Sequence, residues 1–134
     1  MDNIDNPVLK TLAAFANLCF KKEERAYFNR KELVGFLRRN KKEYPLALKD
    51  VDFHPRYPNI SEQINDELFI LMFGGKLCSW GPDFHPHEVE KSISYIYDKM
   101  PQEEKDYLQG LAKKMYDEVG CNRNGLPHKN IKSS

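Results

Sequence analysis

The chain reads as an all-α domain of about five helices, with a place for one small β-hairpin near residues 76–85. Three observations lead there. Apolar residues recur at helical spacing in successive stretches, those stretches are bounded by cap and Pro/Gly signals, and the turn Gly81-Pro82 is flanked by two short runs that suit strands. At 134 residues, 40% hydrophobic and 31% charged, the chain is long enough and apolar enough to bury one core. We expect a single helical domain over residues 1–120 and a flexible basic tail over residues 121–134.

Asn6-Pro7 opens the first helix, an N-cap followed by a residue preset for the first turn. Val8, Leu9, Leu12, Phe15, Ala16, Cys19 and Phe20 carry its apolar stripe to about Phe20. Asn29 with Glu32 three residues on forms a capping-box pattern. The second helix runs from there to about Lys42, with Leu33, Val34, Phe36 and Leu37 on one side. Lys31, Arg38, Arg39 and Lys42 gather on the other, with Arg30 at the edge.

"YPLALKDVDFHPRYPN" has three prolines and no sustained period, so it reads as an irregular connection with an optional short strand over Leu46, Leu48, Val51 and Phe53. Asn59 and Glu62 repeat the capping pattern and start a third helix that ends at Gly74-Gly75. From Leu68 to Phe73 every residue is apolar, which marks this helix as the centre of the core. A fourth helix is expected from Pro86 or His87, burying Val89, Ile93, Ile96 and Met100. Pro101 breaks it, and a fifth helix runs to Val119 and Gly120, with Glu103-Glu104 near its start and Lys113-Lys114 near its end. Gly110 inside that last helix requires a close neighbour to be worth its cost.

The formal net charge is +1, which excludes a global field toward nucleic acid or anionic lipid. Charge is nevertheless segregated. Between Lys21 and Glu43 nine basic residues stand against four acidic ones, whereas Ser61 to Lys91 holds six acids and two lysines. Three widely spaced cysteines, a polar N-terminus and the absence of a long apolar run lead us to expect a reduced, cytoplasmic protein with no membrane partner.

"DFHP" occurs twice, at Asp52–Pro55 and Asp83–Pro86. Its nitrogen and oxygen donors, with His54, Asp83, His85 and His87 as the candidate ligands, make a divalent-metal site one reading. The other, which we favour, is local structure: a proline holds the preceding histidine extended, and Asp and His act as turn and cap groups. No cofactor is expected. Neither a nucleophile elbow nor a glycine-rich phosphate loop is present, so we expect no enzyme. "SWGPDF" followed by a helix and "QEEKDYLQGLAKKMYDEVG" faintly resembles the Trp-x-x-Gly-Pro region of a helical antitoxin family often called the Panacea domain. Here Trp80 is followed directly by Gly81-Pro82 and the preceding residues do not match, so no membership is drawn from it.

The leading functional expectation is a small intracellular non-enzymatic regulator or inhibitor that binds a macromolecular partner, a protein before a nucleic acid. Its contact residues would be Arg30, Lys31, Arg38, Arg39 and Lys42 on the basic helix face, with Tyr44, Arg56, Tyr57 and Trp80 in the aromatic and proline-rich loops. The alternative is a winged-helix-like DNA-binding regulator using the same face. Third stands divalent-metal binding through the two DFHP segments.

Overall fold

The computed structural model describes residues 2–79 and 87–128. Trp80, the Gly81-Pro82 turn, Asp83 and His85 lie outside the described residues, as does the tail from residue 129.

Helix α1 (Pro7–Lys21) is the axis of the fold. Thr11, Leu12, Ala13, Ala14, Phe15 and Ala16 are buried one after another, so the helix has no solvent side through its middle turns. Three alanines make this possible, because a methyl side chain lets neighbours approach from every direction. Helices α3 (Pro45–Leu48), α4 (Glu62–Phe73), α5 (Ser94–Asp98) and α6 (Gln102–Glu118) and strand β1 (Ala26–Phe28) all pack on α1. Lys10 reaches α6 through an ion pair with Glu104 at 2.8 Å. Asn6 does not cap the helix: its backbone is left-handed (φ 48°) and its side chain makes no capping bond, so Pro7 alone presets the first turn.

Strand β1 (Ala26–Phe28) leads into α2 (Arg30–Arg39). The Asn29 cap forms as expected, its Oδ1 accepting from the Lys31 and Glu32 backbone N–H groups at 3.0 and 3.3 Å. Leu33, Val34, Phe36 and Leu37 are buried, and the helix stops at Arg39 with Asn40 buried beneath it. The optional strand over residues 46–53 is replaced by a single helical turn, α3 (Pro45–Leu48), because Pro45 at its first position fixes a helical φ.

Helix α4 (Glu62–Phe73) begins two residues later than the Asn59 pattern implies. Ser61 is the cap, its Oγ accepting from Ile64 N at 3.2 Å. The Asn59 side chain instead lies against Gly35 of α2, where a Cβ would come within 2.5 Å of Asn59 Oδ1. Nor is α4 the central helix. Only Ile64, Leu68 and Leu71 are buried, Met72 is half-buried against the core, and Phe69, Ile70 and Phe73 face solvent.

The all-α expectation holds for the bulk of the chain, but the strands form more than a hairpin. Strands β2 (Leu77–Ser79), β3 (His87–Val89), β1 and β4 (Gly120–Cys121) make one antiparallel sheet in the order β2-β3-β1-β4. Its register places Ala26 opposite Val89, Phe28 opposite His87, and Cys78 opposite Glu88. Phe28 meets Phe15 of α1 edge to face with ring centroids 6.5 Å apart, which ties the sheet to the axial helix.

The fourth expected helix is also corrected. Residues 87–89 pair as a strand, a 3₁₀ turn follows at Lys91–Ile93, and only Ser94–Asp98 form a helix, α5. Of the four residues expected to be buried, Val89, Ile93 and Met100 are, and Ile96 is half-buried, along a path of three different geometries. Helix α6 (Gln102–Glu118) matches expectation, and its Gly110 admits the Tyr44 ring, whose hydroxyl would lie 2.8 Å from any Cβ there.

The segment assigned to the tail starts inside the domain. Cys121 pairs with Tyr27 and bridges Pro127, and His128 is buried. Among the described residues no helix is long and apolar enough to cross a membrane. Replacing a central α1 side chain tests its axial role: Leu12→Ala is expected to cost about 3 kcal/mol, read as a lowered urea midpoint.

Candidate functional site

The expected contact residues point in several directions. Arg30, Lys31 and Arg39 are exposed along α2 and Lys42 beyond its end, but Arg38 and Arg39 are already engaged within the chain. Arg38 Nη1 donates to the His54 carbonyl at 2.6 Å, and Arg39 Nη2 lies 3.4 Å from Glu118 of α6. Lys41 likewise donates to the Val51 carbonyl at 2.8 Å. Part of the basic helix is therefore an anchor for the loop that follows it. Tyr44 is half-buried against α6, with Tyr107 edge to face at 5.5 Å and the Lys114 ammonium 5.7 Å over its ring. Arg56 and Tyr57 are exposed in the proline-rich loop. Trp80 is not among the described residues.

The first DFHP copy builds that loop. His54 Nδ1 accepts from the backbone N–H groups of Arg56 and Tyr57 at 3.1 and 3.2 Å, so its proton sits on Nε2. The backbone of Asp52 is clamped on both sides, its N–H donating to Gln63 Oε1 and its carbonyl accepting from Ser61 Oγ. Of the second set, His87 is buried in β3 beside Phe28, and burial, with the nearby Arg30 charge, pushes its pKa down to about 4. Asp83 and His85 lie outside the described residues. Among the described residues no three His, Cys, Asp or Glu side chains converge to hold a metal ion.

Nor do the thiols offer a nucleophile by lowered pKa. Burial first, then the Glu24 charge, raises Cys19. Burial and Glu32 push Cys121 up to about 12. Partial burial, then Glu90 and Glu88, raises the exposed Cys78.

A polar cluster that the sequence gave no reason to expect closes the far side of the sheet. The Tyr116 hydroxyl donates to Glu24, whose carboxylate also lies 3.6 Å from His128 Nδ1, and the His128 ring stacks on Tyr116 at 4.5 Å. Burial lowers the His128 pKa, with Glu24 opposing and Lys22 reinforcing that shift. The group holds residues 120–128 against α1 and α6 and exposes little to solvent.

The surface that stands out lies on α4. Phe69, Ile70 and Phe73 are 54%, 68% and 80% exposed, while Leu68 and Leu71 between them are 2% and 8% exposed. At about 100° per residue, Glu62, Asp66, Phe69, Ile70 and Phe73 fall within about one-third of the helix circumference, opposite Ile64, Leu68 and Leu71. The outer face is thus acidic at its N-terminal end and apolar at its C-terminal end. Phe69 and Phe73 touch edge to face at 4.8 Å. Beside the acidic end opens a cleft of about 420 Å³ lined by Asp52, Phe53, His54, Ile60, Glu62 and Asp66. Sequence reasoning assigned these phenyl rings to the core. The signal against that was available in the helix itself, since Ile64, Leu68 and Leu71 already complete one buried stripe. In the helix preceding the β2–β3 pair this face presents carboxylates and rings where a winged-helix reader would need cations.

No family model matches the chain, and neither the curated proteins nor the solved structures contain a match to it.

Two consequences are measurable. Arg38→Glu should destabilise the fold by about 1–2 kcal/mol, through loss of a half-buried charge-assisted bond, whereas Arg39→Glu should change it by less than about 0.5 kcal/mol; urea titrations of the two variants check this. His87 is neutral when folded, so its contribution is intact above its unfolded pKa near 6.5 and is lost as pH falls toward 4, where the unfolded chain takes the proton first. Stability should fall by on the order of 2 kcal/mol across that window, and His87→Leu should flatten the urea midpoint against pH. His128 adds a smaller change of the same sign.

Proposed function

We propose that the chain is a small non-enzymatic regulator or inhibitor that acts by binding a protein partner, with the outer face of α4 as its principal contact. The observation that carries this reading is the continuous exposure of Phe69, Ile70 and Phe73 on a helix whose other side is already packed. Full burial of one such side chain is worth about 1.5–3 kcal/mol, so leaving three adjacent ones in water is a cost that a docked partner would recover. Aromatic anchors of this kind dominate the energetics of protein interfaces. The proline-rich loop extends the surface with exposed Tyr57 and Ile60. Arg30 and Lys31 on α2, with Lys42 beyond its C-terminal end, supply a second, polar contact region suited to an acidic stretch of the same partner. Its three cysteines are unpaired, which suits a reducing compartment.

Capture experiments with nuclease-treated native lysate test the reading. Wild-type protein and Phe73→Asp are compared side by side, each immobilised as the full chain. A stoichiometric protein retained by wild type should be lost or weakened at least about tenfold by Phe73→Asp, with the melting temperature of the variant unchanged because the ring is exposed. Retention of the same partner by both proteins, or recovery of nucleic acid alone before nuclease, would remove this face from the model of action.

A further inference from the structure

The chemistry of the partner is legible in the surroundings of the apolar face. Asp52, Glu62 and Asp66 line one cleft, and no Lys, Arg or His of the described residues forms an ion pair with any of them. Phe53 and Ile60 form apolar walls of the same cleft. Carboxylates beside hydrocarbon suit a long cationic side chain, whose alkyl stem covers apolar surface while its head meets the charges. Glu62 and Asp66 also share the exposed face of α4 with Phe69, Ile70 and Phe73, so one ligand lying along the helix reaches both regions. At 1.5 Å rise per residue the acidic and apolar groups are centred about 10 Å apart, roughly two helical turns.

Resting on the docking face proposed above, we infer that its occupant is an amphipathic helix of a partner protein that sets apolar residues on Phe69, Ile70 and Phe73 and inserts a Lys or Arg, about two turns away, between Asp52, Glu62 and Asp66. Charge complementarity selects this occupant over the others. A polyanion would be repelled by the three carboxylates. A second copy of this chain offers α2 as its basic helix, whose apolar side is buried in its own core, or its own α4 face, which carries no cation to meet the three carboxylates.

A displayed library of helical peptides, randomised on one face, is selected on the full wild-type chain with counter-selection on Phe73→Asp. The expected winners combine an apolar stripe with Lys or Arg about two turns away. Their affinity should fall at least about tenfold on the variant Asp52→Asn/Glu62→Gln/Asp66→Asn and decline with added salt. Circular dichroism verifies that the triple variant is folded, and Asp66→Asn alone replaces it if it is not. Winners with an apolar stripe and no basic residue, or with affinity indifferent to the carboxylates, would overturn this inference and leave the docking face standing. An absence of any winner that depends on Phe73 would overturn both. Concentration-dependent dimerisation of wild type in sedimentation, abolished by Phe73→Asp, would make a second copy the occupant and overturn the inference as well.

Discussion

The fold depends on one helix having no outside. Through its middle turns α1 presents Leu12 and Phe15 in some directions and only small side chains, Thr11 and three alanines, in the others, so neighbours close on it from all sides. Small side chains remove the steric reason for a helix to keep a solvent face. Once α1 takes the axis, each longer helix needs a single apolar stripe to be held, and α2, α4 and α6 each have one. The sheet joins through Phe28 on Phe15, α6 lies along the helix with the Lys10–Glu104 ion pair, and α3 to α5 fill the remaining arc.

That arrangement explains the surface of α4. Because α1 already occupies the centre, α4 contributes Ile64, Leu68 and Leu71, with half-buried Met72, to the core, and Phe69, Ile70 and Phe73 are left in water. Exposure of Phe69, Ile70 and Phe73 is therefore not a failure of burial but a surplus, set beside carboxylates that form no ion pair among the described residues. A surplus of this kind has an energetic reason to acquire a partner, whereas the buried polar cluster of Glu24, Tyr116 and His128 is satisfied in part by its own members and serves to hold the C-terminal segment.

The proline-rich loop shows how charged and polar residues that look like binding groups can be consumed by structure. Arg38 at the end of α2 and Lys41 just beyond it reach the carbonyls of His54 and Val51, and His54 turns its ring nitrogen onto two following amides. A loop with two prolines, Pro55 and Pro58, has few backbone bonds of its own, so side chains must satisfy those groups. The result fixes Asp52 and Ile60 where they border the cleft beside α4, linking the order of the loop to the geometry of the candidate interface.

The helices α1, α2 and α6 were legible in the sequence because each is long enough for a 3.6-residue period to repeat and carries at least one local end signal, Pro7, Asn29 or Pro101. The Asn29 cap and the close approach at Gly110 belong to the same class, as does the structural role of the first DFHP segment. Strands β1, β3 and β4 were not legible, since two or three residues cannot display an alternation and their pairing joins residues far apart in the chain. The same limit applies to the candidate site. An apolar run such as Leu68 to Phe73 states that a helix has greasy sides, but which side is buried is settled by how many neighbours reach it. Sequence alone determined a mainly helical chain with segregated charge. Only the tertiary structure decided that α1 holds the centre, that Arg38 serves the fold and that α4 keeps its phenyl rings outside, because burial is a property of packing between distant segments.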